Sequence, residues 1–202
     1  MRRFVDKYMQ SYGSKTIRIL DVGSQDINGS YKPLFDNRNW EYKGLDICQG
    51  ENVDIVVKDI YNWKEVRSNS YDVVISGQAL EHIEFFWLTM CEISRVMKNE
   101  GLCCIIAPSS GPVHRYPKDC WRFFPDGLEA LARYAMLEIV EAYNCWEPTR
   151  DGEENVWKDT VLVCRKPTRK LNEKFIFFVK SGLLKLISIR TPLAVLVGKV
   201  KR

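Results

Sequence analysis

Residues Ile17 to Gly29, reading IRILDVGSQDING, run from an apolar strand through Asp21 into a turn punctuated by Gly23 and Gly29. A second apolar strand, Trp40 to Leu45, follows and ends on another carboxylate, Asp46. A strand, a turn of small residues and an acidic tip on the next strand together describe a nucleoside pocket. Glycine lets backbone approach a ligand where a Cβ would collide, and a carboxylate accepts hydrogen bonds from both hydroxyls of a ribose. A dinucleotide site would read G-x-G-x-x-G, but Gln25 stands where the second glycine belongs. No tight pyrophosphate cradle is written, so the expected ligand is a nucleoside without phosphates.

Around that feature, strand-like apolar runs alternate with helix-like segments, the pattern of a parallel sheet covered on both faces. Strands are expected at Ile17 to Val22, Tyr42 to Leu45, Val53 to Val57, Tyr71 to Ser76, Leu102 to Ala107, Leu137 to Tyr143 and Thr160 to Arg165. Helices are expected at Val5 to Tyr12, Tyr31 to Phe35, Phe85 to Val96 and Gly127 to Tyr134, the last with Asp126 as its N-cap. Asn99-Glu100-Gly101 reads as a turn just before an apolar strand.

The 202 residues suffice for one well-buried domain and an appendage, and 46% hydrophobic with 28% charged residues is ordinary for a globular protein. The domain is expected over residues 1–166 and a basic extension over 167–202. From Arg165 to Arg202 there are eleven Lys or Arg against Glu173 alone, which leaves the rest of the chain net acidic. A nucleic-acid surface on the domain is therefore not expected. In the extension, Lys170, Lys174, Ser181, Lys185 and Ser188 fall on one helical face, with Phe177, Phe178, Leu183, Leu184, Leu186 and Ile187 largely on the others. The apolar stretch from Phe175 to Lys199 is broken by Lys180, Lys185, Arg190 and Pro192, short of the ~20 residues that span a bilayer. An amphipathic tail that meets a membrane surface, a partner protein or its own domain is expected instead. Met1 to Gln10 lacks the apolar core of a signal peptide. Seven scattered cysteines without a C-x-x-C pair suit reduced thiols, so a cytoplasmic protein, peripheral at the membrane at most, is expected.

Four segments, in order, resemble class I S-adenosylmethionine-dependent methyltransferases across Lys15 to Lys166. They are the glycine-rich turn Asp21 to Gly29, the acidic strand tip Asp46, Asp59 in VVKDIYNW, and YDVVISGQALEHI from Tyr71 to Ile83. The runs DVGSQDINGSYKPLF, EHIEFFW and APSSGPVHRYPKDCWRFFPDG are similar to members associated with glycan biosynthesis. The resemblance implies an α/β, Rossmann-like class I methyltransferase sandwich: a seven-stranded, mostly parallel sheet with helices on both faces and an antiparallel hairpin at its end. It also implies S-adenosylmethionine as cofactor. Asp46, with Ile47, would take the ribose, and Asp59 and Ile60 the adenine. Asp21, Gly23, Ser24, Gln25 and Gly29 would face or shape the methionine portion, with Ser76, Gly77 and Gln78 along its open edge.

The sulfonium is already activated, so methyl transfer is mostly alignment of an acceptor lone pair opposite the leaving sulfur. An alcohol acceptor also needs a general base of near-neutral pKa, and histidine is the side chain that supplies one. His114 is the expected base, with Asp119 orienting it or replacing it and His82 as the alternative. Arg115 and Arg122 suit an anionic group on the acceptor, and Tyr116 and Trp121 suit stacking on a sugar face. The expected acceptor is a sugar hydroxyl of a glycan, glycolipid or nucleotide-sugar. A small-molecule or lipid acceptor, or a non-catalytic module partnering a glycosyltransferase, stand as rivals. No metal is indicated, because no two histidines share a helix face and no dense carboxylate cluster appears, but some sugar methyltransferases use a divalent ion and dependence on one stays open.

Overall fold

A computed structural model describes residues 1–27, 29–146, 155–168 and 171–189. The chain divides into two compact units, Met1–Thr168 and Arg169–Arg202. In the first unit the strands are β1 (Ile17–Val22), β2 (Trp40–Asp46), β3 (Ile55–Val56), β4 (Tyr71–Gly77), β5 (Met97–Ala107), β6 (Glu138–Asn144) and β7 (Thr160–Arg165). They form one sheet in the order β3-β2-β1-β4-β5-β7-β6. Pairing is parallel from β3 to β5 and antiparallel where β7 enters between β5 and β6. This is the seven-stranded, mostly parallel sheet with a terminal hairpin expected above.

Alternation along each strand explains the layering. Ile17, Ile19, Val73, Ile75, Leu102, Cys104, Ile106, Val161 and Val163 pack on one face with Phe4, Met9 and Phe35. Their strand neighbours Leu20, Val22, Val74, Cys103, Ile105, Leu162 and Cys164 pack on the other with Met90, Ile93, Leu128 and Leu131. Strands buried on both sides read as continuous apolar runs, as parallel strands must. The first face is covered by α1 (Arg2–Tyr8) and the 3-10 turns Met9–Tyr12 and Lys32–Phe35. The second is covered by α2 (Phe86–Val96) and α3 (Pro125–Tyr134).

Three local expectations change. Asp126 lies in the first turn of α3 and Phe124 is its N-cap, because Pro125 occupies the first helical position that its ring favours. The segment Asn99-Glu100-Gly101 lies inside β5 as an outward bulge: Tyr71 pairs with Met97 and Val73 with Leu102. Glu100 there has φ 62° and its amide donates to the Lys166 carbonyl at 2.7 Å. In the second unit, α4 (Leu171–Ile189) starts earlier than the apolar run, and Phe175, Ile176, Phe178 and Leu183 are exposed along it. The side chains of Lys170, Lys174, Ser181, Leu184, Lys185, Leu186, Ile187 and Ser188, and residues 190–202, lie outside the described residues. No helix among the described residues is long and apolar enough to cross a membrane.

The loop between β3 and β4 is fastened beneath α2 by a buried ion pair. Glu92 is buried, and its Oε2 accepts the Trp63 amide at 2.9 Å. Arg95 donates to both Glu92 oxygens and to the carbonyls of Trp63 and Val66, both at 2.9 Å. The Trp63 indole donates to the Ile60 carbonyl at 2.8 Å, so the same network sets the segment that carries Asp59 and Ile60. Removing one partner of a buried pair strands the other charge. Arg95→Ala should therefore cost about 3 kcal/mol in urea unfolding. An unchanged midpoint would show that the loop is held by other contacts.

Candidate active site

All the parallel strands point their carboxyl ends at one edge, where ligands of open α/β sheets collect. On the β1–β2 side of that edge, Asp46 closes the glycine turn against the strand tip. Its Oδ2 accepts the Gln25 amide at 3.2 Å, and its Oδ1 accepts the amides of Ile47 at 2.7 Å and Cys48 at 3.3 Å. Gly23 has φ 77°, and a Cβ there would stand 2.4 Å from the Ala79 Cβ, so glycine is required by both conformation and space. The amides of Gly23 and Ser24 both donate to the Leu45 carbonyl, and Ser24 Oγ donates to the Asn52 carbonyl at 3.1 Å. These donors hold the turn against β2 and the Asn52 carbonyl. The Gln25 side chain lies against Gly50, where a Cβ would come within 2.8 Å of its amide nitrogen. Gly29, at φ 116°, sits in an exposed loop and donates to Asp26 Oδ1 at 2.8 Å.

Asp21 is buried to 3% exposure and accepts a hydrogen bond from the Tyr42 hydroxyl. It neither caps a helix nor faces open solvent. Burial pushes its carboxyl up to about 7, against the Tyr42 bond, which lowers it; the neighbouring Asp46 raises it further. Asp59 Oδ1 accepts the Tyr61 amide at 2.9 Å, an Asx turn that shapes the loop after β3. Ile60 packs partly buried against the core. Ser76 is fully buried and donates to the Val22 carbonyl at 2.8 Å, tying β4 to β1. Gly77 lies under the Tyr31 ring, and a Cβ would stand 2.4 Å from that ring. Gln78, at φ 56°, donates from its side chain to Asp159 Oδ1 at 2.9 Å.

On the β4–β5 side, the segment between β5 and α3 folds back over the 3-10 turn Leu80–His82. The Glu81 carbonyl accepts the amides of Cys120 at 2.7 Å and Trp121 at 3.2 Å. That contact brings together His82 and His114, which stand 32 positions apart in the chain, with ring centroids 4.8 Å apart and edge to face. His114 also leans on Trp157, at 4.5 Å between ring centroids. The His82 Nδ1–H donates to the Lys118 carbonyl at 2.5 Å. Burial holds the His82 imidazole below its ordinary 6.5, partly offset by that bond. Asp119 accepts the His114 amide at 2.8 Å and sits 3.3 Å from His114 Nδ1, near but without hydrogen-bond alignment.

Two roles expected from sequence are revised. Arg122 donates to both Asp119 oxygens, at 2.5 and 2.8 Å, and to the carbonyls of Trp121 and Pro112. It braces the loop, so it is not a free group for an anionic acceptor. The same guanidinium holds the Asp119 carboxyl well below the usual carboxylate range, which suits a positioning role and not that of a base. Arg115 and Tyr116 are exposed at the loop surface, and Trp121 is half-exposed with its indole donating to the Glu84 carbonyl at 3.1 Å. The sequence reading passed over Glu81 and Tyr42. Glu81 was visible in the leucine-glutamate-histidine ending of YDVVISGQALEHI, but only the fold shows that it is fully buried, with burial pushing its carboxyl up to about 7.

Residues 20–105, from within β1 to within β5, match the sequence model of a family described as a methyltransferase domain. The match spans 86 of the 202 residues. Two solved structures of similar fold hold S-adenosylhomocysteine or S-adenosyl-L-methionine. A sequence search of curated proteins found no match. Among solved structures, the fold is similar to the CurJ carbon methyltransferase, with TM-score 0.61 and 14% identity over 83% of this chain and 54% of that one. This chain thus spans about half the length of that relative. It is also similar to a Burkholderia thailandensis 1,6-didemethyltoxoflavin N1-methyltransferase with bound S-adenosylhomocysteine, TM-score 0.61 and 16% identity, covering 83% and 78%. A third, the [4+2]-cyclase SpnF, has TM-score 0.62 and 17% identity, covering 83% and 82%. At these identities the likeness shows the fold, and the chemistry must be read from the site.

Asp21 offers a test of the methyltransferase domain without ligand. The folded state keeps its proton up to about pH 7, whereas the unfolded chain releases it near its ordinary 3.8. Between those values the folded state binds more protons, so stability falls as pH rises. The advantage of Asp21→Asn over wild type in melting temperature should grow by ~3 °C or more from pH 5 to pH 8. An identical offset at both pH values would contradict the burial of this carboxyl.

Proposed function

We propose that the chain transfers a methyl group from S-adenosylmethionine to an acceptor oxygen, with a sugar hydroxyl as the favoured acceptor. The observation that carries this reading is the pairing of His82 and His114 beside the carboxyl ends of β4 and β5. The carboxylate tip of β2 lies on the other side of β1 along the same edge. Asp46 is the group that takes the ribose diol, and the segment around Asp59 and Ile60 meets the adenine. Gly77 and Gln78 border the methionine arm.

At the acceptor end, His114 is the group that receives the hydroxyl proton. The acceptor oxygen forms the new C–O bond as the C–S bond breaks, and its electron pair returns to sulfur to leave neutral S-adenosylhomocysteine. Asp119 positions His114 through its amide, while exposed Tyr116 and half-exposed Trp121 supply apolar ring faces of the kind that stack on sugars. A specific observation also favours a second reading: CurJ is a carbon methyltransferase and the Burkholderia thailandensis protein an N1-methyltransferase. A small-molecule acceptor on nitrogen or carbon is therefore the rival.

Isotopically labelled S-adenosylmethionine and a panel of sugars, nucleotide-sugars and glycolipids, read by mass spectrometry, test the proposal. Labelled methyl ether on a sugar is the expected product. His114→Ala should cut turnover by ~10²–10⁴ while cofactor affinity stays within about twofold. Product found only on nitrogen or carbon acceptors, or full turnover in the variant, would overturn this assignment.

A further inference from the structure

Glu81 is the most unusual charged residue in the fold. Its side chain is fully buried, yet neither carboxylate oxygen has a hydrogen-bond partner. Buried polar groups are almost always satisfied, and an unpaired buried carboxylate is costly. The groups around it are suited to one kind of ligand. His82 Nε2 lies 3.7 Å from Glu81 Oε1. Because the His82 Nδ1–H is held by the Lys118 carbonyl, the lone pair sits on Nε2, on the side of Glu81. A backbone carbonyl that orients an imidazole in this way is the usual support of a metal-binding histidine. His114 completes the group: its Nδ1 is buried without a hydrogen-bond partner, and one ligand atom from each of the three residues lies within 4.8 Å of the other two.

We propose that Glu81, His82 and His114 bind a divalent cation and leave a coordination position open for the acceptor oxygen. Two imidazoles and one carboxylate suit the borderline divalent ions from manganese to zinc, and three protein ligands with an open position are the pattern of a catalytic rather than a structural site. Ligand atoms about 2.1 Å from one ion stand roughly 3–4 Å apart. The Glu81–His82 pair already has that spacing, and the widest pair reaches it with a shift of about 1 Å. The three residues escaped the sequence reading because Glu81 and His82 follow β4 whereas His114 follows β5. The role given to the ion rests on the reading that the acceptor oxygen enters beside His114; with the ion bound, His114 is a ligand in place of a base, and the hydroxyl proton leaves to water. Cation binding itself does not depend on that reading.

The test uses the full chain stripped with EDTA and titrated with Mn²⁺ or Zn²⁺ in the absence of acceptor, followed by electron paramagnetic resonance for Mn²⁺ and calorimetry for both. Mn²⁺ is included because thiols bind it poorly. One saturable site is expected in wild type, weakened at least ~10-fold in Glu81→Gln and in His82→Asn. Retained binding of S-adenosylhomocysteine by Glu81→Gln certifies that the variant is folded. Saturable binding of neither ion, or equal binding by wild type and both variants, would overturn the site and leave a proton as the occupant of Glu81. Undiminished sugar methylation by the stripped chain would overturn the ion's role toward the acceptor oxygen and leave the proposed function standing. A cation site lost in Glu81→Gln, with no sugar methylated, would sustain the site and remove the acceptor.

Discussion

Everything at the ligand edge depends on the parallel pairing of β1 with β2 on one side and β4 on the other. Register places Asp21 beside Gly44 and Ile75, and Val22 beside Leu45. The turn after β1 and the carboxylate tip of β2 therefore emerge side by side. The Leu45 carbonyl accepts the amides of Gly23 and Ser24, and Asp46 accepts that of Gln25. A strand buried on both faces cannot slip by one residue without exchanging its two apolar sets, so this register is strongly specified. The glycine turn is thus closed by hydrogen bonds to β2 and packed against Ala79 after β4. The amides of Gly23, Ser24 and Gln25 are taken up by β2.

The other side of the edge is organised by a single carbonyl. Glu81 accepts two amides from the segment after β5, and Arg122 gathers Asp119, Trp121 and Pro112 within that segment. Thr160 Oγ1 donates to the Phe123 carbonyl at 2.6 Å, fixing the far end of the loop to β7. The result is a braced loop that brings its His114 against Glu81 and His82 of the turn after β4. Such convergence comes from the segments after two strands, β4 and β5, which is how one fold supports different acceptors, and why fold likeness alone leaves the acceptor unnamed.

The strands were legible because their apolar runs alternate between two cores, and β1 and β7 were read to the residue. The β5 boundary was missed because Lys98, Asn99 and Glu100 near its start are polar and bulged, and pairing with β4 rather than composition keeps them in the sheet. The acidic tip Asp46 was legible because a carboxylate stands out at the end of an apolar strand. The partners of Asp21 and Arg122 were not. Tyr42 reaches Asp21 through the β1–β2 register, and Arg122 reaches Asp119 one helical step away in a segment without helical periodicity. Glu81 was the hardest to read, since an acid beside a histidine looks solvated in sequence and is fully buried only once the loop after β5 folds over it.

The central claim is that the edge between β1 and β2 is the nucleoside half of an S-adenosylmethionine site held by Asp46. The most direct measurement is the melting shift given by S-adenosylhomocysteine to wild type and to Asp46→Ala. At ~100 times its dissociation constant the ligand should stabilise wild type by roughly 2.7 kcal/mol, and that shift should vanish in the variant. An equal shift in both proteins would contradict the account and place the ribose elsewhere.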